Sequence, residues 1–290
     1  MKSISCRRAW LLCLGLAACG PRFDEKISGF LHPESALHDP EADVYLVSNI
    51  NENPRRRDSN GFISRVSPSG EVLSLHWIQG GVAGVELHAP KGMALSGERL
   101  YVADLDRVRL FDRRTGEPRG QIVPPGAGAL NGVTAAPDGS IYVTDTGWSE
   151  QSDESTGGDA VIRITPDGEV AIVCRGPALA QPNGILVDAT GIYLVSWSKP
   201  ELSRLESDCS RTVLATFDAS GLDGLVRTQR GELLVSSWHG RAIYRVAASG
   251  AVSRLFEHRA VPGIGYDAGR DRLLIPLYEL GQLGFRDAVR

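Results

Sequence analysis

Short apolar runs, each bracketed by turn residues, recur along the chain. In "AQPNGILVDATGIYLVSW" (180–197) a Pro-Asn-Gly turn leads into one run, and Thr190-Gly191 leads into a second. "LNGVTAAPDGSIYVTDTGW" from Leu130 and "LDGLVRTQRGELLVSSW" from Leu222 repeat the phrase. Few stretches carry a 3.6-residue apolar period. The runs alternate or are wholly apolar, and Gly, Asp, Asn and Pro punctuate them, which predicts an all-β chain.

Six copies can be aligned. Each reads as a polar or small residue, a short apolar strand, an Asp/Gly turn, a strongly apolar strand, then a third strand and often a fourth. The first-strand mouths are Glu34, Lys91, Asn131, Asn183, Asp223 and Gly263. Their spacings are 57, 40, 52, 40 and 40 residues. Forty residues suits one four-stranded propeller blade. The two long gaps follow from insertions after the second strand, "INENPRRRDSNG" (50–61) and "GWSEQSDESTGG" (147–158). The chain is therefore expected to form one six-bladed β-propeller over residues 26–290. The sixth copy runs out after "QLGFRD", and "RFDEKISGFL" before the first copy is expected to supply its missing strand and close the ring. Closure leaves few exposed sheet edges.

In such a ring the first strand of each blade lines the central channel, so the mouth residues gather at one place. Glu34, Asn131, Asn183 and Asp223 are four oxygen donors, two of them anionic, which suits a hard cation. No Cys or His stands in the ring, which weighs against zinc and copper. A blander reading has each short polar residue capping a strand start as an Asx turn. Four oxygen donors at one repeat position favour a shared site.

This constellation, a first-blade Glu34, the "NG" residues Asn131 and Asn183 and the "DG" residue Asp223, resembles the senescence-marker protein/gluconolactonase/LRE-like family of propeller lactonases. Paraoxonases share a similar metal site. The resemblance implies one divalent metal low in the channel, calcium first, with magnesium, manganese and zinc as alternatives. It implies Glu34, Asn183 and Asp223 as principal ligands and Asn131 as a ligand or substrate contact. It further implies hydrolysis of a lactone or related ester, with Asp223 as the general base. Lys91 departs from the pattern. It would be an internal counter-ion, a contact for an anionic part of the substrate, or a side chain bent away to solvent.

The second-to-third strand connections are expected on the same face. They carry Asn49, Asp104, Asp145, Trp148, Trp197, Trp238, His239 and Tyr278, and the insertions add Arg55-Arg56-Arg57 and Glu150, Asp153 and Glu154. Trp197 and Trp238 are candidate aromatic walls and His239 a candidate substrate contact. Gly-x-Ser-x-Gly, phosphate-loop and His-Glu-x-x-His motifs are absent from the sequence. A non-catalytic periplasmic propeller, binding a peptide, glycan or protein on this face, is the alternative to the hydrolase.

The first residues are set aside from the fold. Lys2, Arg7 and Arg8 precede an apolar stretch, Ala9 to Ala18, too short to span a bilayer, whose last three residues run into Cys19 as "LAAC". Residues 1–18 resemble a bacterial lipoprotein signal, which implies cleavage before Cys19, lipidation of its thiol and a lipidated linker over 19–25. A plain secretory signal with an incidental Cys19 is the other reading. Either exports the chain; the lipoprotein would face the periplasm, by analogy from the outer membrane, with the lipid its only membrane contact. Removing three basic residues leaves 28 against 35 acidic ones, a net of −7. That excess argues against a nucleic-acid partner. Cys174 and Cys209 are the cysteines beyond Cys19, either paired in an oxidising compartment or two buried thiols.

Overall fold

Six sheets of four strands each surround a central channel, in a computed structural model that describes residues 23–148 and 157–288. Blades 1–5 each take four consecutive strands in sequence order. The sixth is completed by Glu25–Ser28, which pairs antiparallel with Gln282–Asp287. The closing strand expected from "RFDEKISGFL" is therefore present. Asp24 N–H donates to Phe285, and the Phe23 ring sits in the space left by Gly284 and against Phe256. Glu25, the last residue of the expected linker, is the first residue of the closing strand. Residues 1–22, with Cys19 and the lipoprotein signal, lie outside the described residues, as do Glu150, Asp153 and Glu154.

The second strands, Val44–Asn49, Arg99–Asp104, Ile141–Asp145, Gly191–Ser196, Leu233–Ser237 and Arg272–Leu277, read as near-continuous apolar runs because each blade is covered on both faces. In blade 2, Leu100 and Val102 pack towards blade 1, while Tyr101 and Ala103 pack towards blade 3. The core is thus a set of inter-blade layers around the second strands, and solvent meets the outer strands such as Pro118–Ile122 and Val252–Glu257. Cys174, in the outer strand Val170–Arg175 of blade 3, is disulfide-bonded to Cys209 in the outermost turn of blade 4. This ties two neighbouring blades at the rim.

The inner strands are Pro33–Asp39, Pro90–Ser96, Leu130–Ala135, Pro182–Asp188, Leu222–Arg227 and the short Gly265–Asp267. The glycines that follow their mouth residues have a shared reason. A Cβ on Gly92 would lie 2.5 Å from the carbonyl oxygen of Asn131, on Gly132 2.3 Å from that of Asn183, and on Gly184 2.0 Å from that of Asp223. On Gly224 it would lie 2.4 Å from the amide nitrogen of Ile264. Each glycine lets its strand lie against the backbone of the next blade, one blade after another around the axis. The ring closes through a parallel bridge between Gly263 and Ser35, beside Glu34.

Gly184→Ala places a methyl group inside contact distance of backbone that cannot rotate away. Overpacking of this kind costs about 1–3 kcal/mol. The expected result is a fall of that size in urea-denaturation stability, larger than for Gly168→Ala at an outer turn, where a Cβ meets open space and the cost is backbone strain alone.

Candidate functional site

Every inner strand of blades 1–5 carries a register shift at its mouth residue: Pro33/Ser35, Pro90/Met93, Leu130/Val133, Pro182/Ile185 and Leu222/Leu225. A bulge re-aims the side chain it contains. Here the bulged positions are Glu34, Lys91, Asn131, Asn183 and Asp223, and all five line one cavity of about 350 Å³ on the axis. Polar residues open otherwise apolar strands because the bulge turns them out of the inter-blade layers and into the channel. The sequence places these residues in register; the bulge is what makes them converge.

A second ring lies above the first. The residue immediately after each second strand is Ile50, Leu105, Thr146, Trp197, Trp238 or Tyr278, and all six line the same cavity. Blades 1–3 supply two aliphatic groups and a threonine; blades 4–6 supply three aromatic rings. Trp238 bridges the aromatic half, 6.3 Å from Trp197 and 5.2 Å from Tyr278 between ring centroids. The two expected tryptophans are thus in place, while Ile50, Leu105 and Thr146 were missed. Their signal was available as a fixed repeat position, one residue past the strand, with varied chemistry. Pro54 and Arg55 of the 50–61 insertion and Trp148 of the second insertion complete the wall, with the Arg55 guanidinium 5.1 Å from the Trp148 ring centre.

Other expected mouth residues have structural work. Asn49 accepts from Leu31 N–H, Asp104 from His88 and Ala89, and Asp145 from Gly128 and Ala129. Ser196 and Ser237, at the same repeat position, donate to the carbonyls of Leu179 and Ser220. In five blades the last residue of the second strand thereby pins the segment entering the first strand, so these groups are turned into the fold. His239 does not line the cavity. It is exposed behind Trp197, 5.1 Å between ring centres, with Nδ1 3.0 Å from Ser220 Oγ. The turn at Gly240, whose N–H donates to Ser237, carries it outward.

The floor of the cavity is electrostatically loaded. Glu34 is 5% exposed, Asp223 6% and Asn183 2%. Burial, then repulsion from Asp223, hold the Glu34 carboxyl well above its ordinary range, against the pull of Lys91. Burial also pushes Asp223 up to about 7. Three contacts oppose that rise: the Trp238 indole N–H, which donates to Asp223 Oδ2 at 2.7 Å, the Asn183 side-chain amide, and the charge of Lys91. Burial and the Glu34 charge raise the Tyr278 phenol to about 12, so it stays protonated. Asn183 Oδ1 is buried with no hydrogen-bond partner.

These features fit a hard divalent cation. Two buried carboxylates want positive charge, and an orphaned amide oxygen beside them wants a Lewis acid or a donor. Among the described residues no group of three or more His, Cys, Asp and Glu could hold a metal, so the set depends on amide oxygens. Calcium and magnesium accept such ligands readily. Glu34, Asp223, Asn183 and Asn131 are the residues that would hold the ion, and four protein oxygens leave further positions for water or substrate.

In chelator-treated protein the folded Asp223 carboxyl titrates near 7, against about 3.9 for an unperturbed aspartate. The folded state then binds more protons than the unfolded chain between those values, so stability falls as pH rises from about 4 to 7. Asp223→Asn is expected to flatten that slope in urea melts taken at closely spaced pH values. Trp238→Phe removes a bond that favours the carboxylate, so it is expected to extend the falling limb to higher pH.

The family model of the SMP-30/gluconolactonase/LRE-like region matches residues 59–262. None of the curated proteins compared with the chain matches it. Among solved structures, a candidate gluconolactonase superimposes with a TM-score of 0.69 at 18% identity, over 94% of each chain. A streptogramin B lyase gives 0.63 at 12% identity, over 90% of this chain and 96% of its own. A chain of a nidogen/laminin complex gives 0.60 at 18% identity, over 79% and 80% respectively. At these identities the likeness is one of fold.

Proposed function

This chain belongs to the SMP-30/gluconolactonase/LRE-like family, and from that premise we propose that it is a divalent-metal-dependent hydrolase of a lactone or related ester. The observation that carries the reading is the floor of the cavity. Two buried carboxylates and an orphaned amide oxygen, all at bulged strand mouths, line one cavity open to a ligand.

A bound divalent cation would polarise the ring carbonyl and stabilise the negative charge that develops on its oxygen. The remaining tasks fall to the chain. Asp223 takes the proton from the attacking water, and its oxygens are held by Trp238 and Asn183, so its orientation is set before substrate arrives. Trp238 therefore positions the carboxylate as well as forming the wall. Trp197, Trp238 and Tyr278 give the substrate an apolar surface to lie against. Ile50, Leu105 and the insertion residues Pro54 and Trp148 narrow the opening and limit water around the reacting carbonyl.

Calcium calorimetry on residues 23–290 tests the metal. One ion per chain is expected for the wild type, with affinity rising as pH increases through about 7, because the carboxylates must shed protons to bind. Asp223→Ala abolishes that binding. On a panel of five- and six-membered lactones, Asp223→Asn is expected to lower kcat by about 10²–10⁴-fold, the usual contribution of a positioned base together with its share in holding the metal. A wild type that binds neither calcium, magnesium, manganese nor zinc would overturn the hydrolase and leave the mouth face as a non-catalytic binding surface.

A further inference from the structure

One wall residue carries a hydroxyl that the fold does not use. Tyr278 follows the second strand of blade 6 and lines the cavity. Blade 6 stands between the blades that carry the two carboxylates. Gly224, next to Asp223, lies against Ile264 on one side, and Gly263 bridges to Ser35, next to Glu34, on the other. The phenol is near enough to Glu34 for that charge to act on it. Trp238 touches both partners of interest: its indole N–H donates to Asp223 at 2.7 Å, and its ring meets that of Tyr278 edge-on at 5.2 Å. The Tyr278 ring is held on its other sides. His32 stacks on it at 4.7 Å, with Nδ1 of that histidine donating to the Asn51 carbonyl at 2.5 Å, and the cluster of Ile50, Ala89 and Leu105 packs against it. The hydroxyls of Tyr45, Tyr193, Tyr244 and Tyr266 are hydrogen-bonded; among the described residues that of Tyr278 has no such partner. Other donors around the cavity are committed. Thr146 Oγ1 donates to the Ala129 carbonyl and Lys91 Nζ to that of Pro54.

We infer that Tyr278 is the general acid of this site, the catalytic residue that gives its proton to the ring oxygen as the lactone opens. The assignment rests on the lactonase reading and adds to it the residue that completes the proton cycle. Water adds to the carbonyl carbon and gives one proton to Asp223. The ring C–O bond must then break, with its electron pair left on the ring oxygen. From an alkyl lactone that oxygen departs as an alkoxide, a far stronger base than a phenolate. The Tyr278 O–H bond breaks, its proton passes to the ring oxygen, and the pair stays behind as phenolate. A phenol, ordinarily titrating at about 10, is protonated at neutral pH and still acidic enough to supply an alkoxide. The phenolate recovers a proton from the Asp223 carboxyl through a water. Both groups end as they began, and the product is the hydroxy acid. Base and acid thus stand on adjacent blades, 5 and 6, with Trp238 in contact with each.

The test compares two six-membered lactones that differ in their leaving oxygen. δ-Valerolactone releases an alkoxide, which needs an acid; dihydrocoumarin releases a phenolate, which leaves unaided. Ring opening is followed by pH-stat with calcium present. Tyr278→Phe keeps the stacked ring and removes only the hydroxyl. It is expected to lower kcat on δ-valerolactone by at least about 10²-fold, the low end of what a positioned acid contributes, and on dihydrocoumarin by less than about tenfold. Loss of a mere packing contact would lower both in proportion. A variant that slows the two lactones equally, or slows neither, therefore overturns the acid and leaves the lactonase standing, as does a wild type that opens dihydrocoumarin alone. If the wild type opens δ-valerolactone alone, a 10²-fold loss in Tyr278→Phe with calcium affinity kept in calorimetry upholds the assignment, and a loss that comes with weakened calcium binding overturns it. A wild type that opens neither overturns the lactonase reading and the acid with it.

Discussion

The structure depends on how closely the inner strands approach one another. Four successive glycines, at positions 92, 132, 184 and 224, let each first strand lie against the backbone of the next blade, where any side chain would collide with a carbonyl or amide. That contact holds the inner ends of the blades at one radius. The radius in turn sets the width of the channel, and with it the separation of the side chains one residue before each glycine. Stability and site geometry thus share one cause. The rim is held by other means, the strand Glu25–Ser28 on the last blade and the disulfide between blades 3 and 4.

The same residue pair does two things. In the phrase polar-glycine, the glycine packs and the polar residue is bulged into the channel, away from the layers between blades. Burying Glu34 and Asp223 at neighbouring places would be unfavourable in a rigid apolar floor, and the fold answers it with oriented partners. Trp238 and Asn183 hold Asp223, and Lys91 offsets both charges. What remains uncompensated are the raised carboxyls and Asn183 Oδ1. Above this floor each blade contributes one wall residue from one repeat position. The aromatic half and the aliphatic half give an otherwise near-symmetric ring a direction, so a bound ligand has a preferred orientation.

Much of this was legible along the chain. Forty-residue spacing, wholly apolar second strands and a sixth copy short of a strand specify six blades and their closure, because a blade covered on both faces needs apolar residues at every position. The register of Glu34, Lys91, Asn131, Asn183 and Asp223 was legible for the same reason: a repeat puts equivalent residues at equivalent radii. Asn49, Asp104 and Asp145 show where one-dimensional reading stops. Polar residues at a strand end look like candidates for a mouth, but their oxygens meet backbone N–H groups some 15–18 residues back in the chain. His239 stands next to Trp238 in sequence and on the other side of the wall in space, because the turn after it reverses the chain.

By itself, then, the sequence determined the blade count, the all-β class and the set of residues brought to the axis, since these follow from periodicity and burial pattern. The tertiary structure decided what periodicity cannot carry. It turned five bulges inward, paired Cys174 with Cys209 across two blades, and set the Trp238 indole on Asp223. It also brought Lys91 to the Pro54 carbonyl and set the Arg55 guanidinium over the Trp148 ring. The disulfide and the reach of Lys91 to Pro54 depend on distances between residues of different blades, which exist only once the ring has closed, while the bulges and the Trp238–Asp223 bond depend on how the strands of one blade pair.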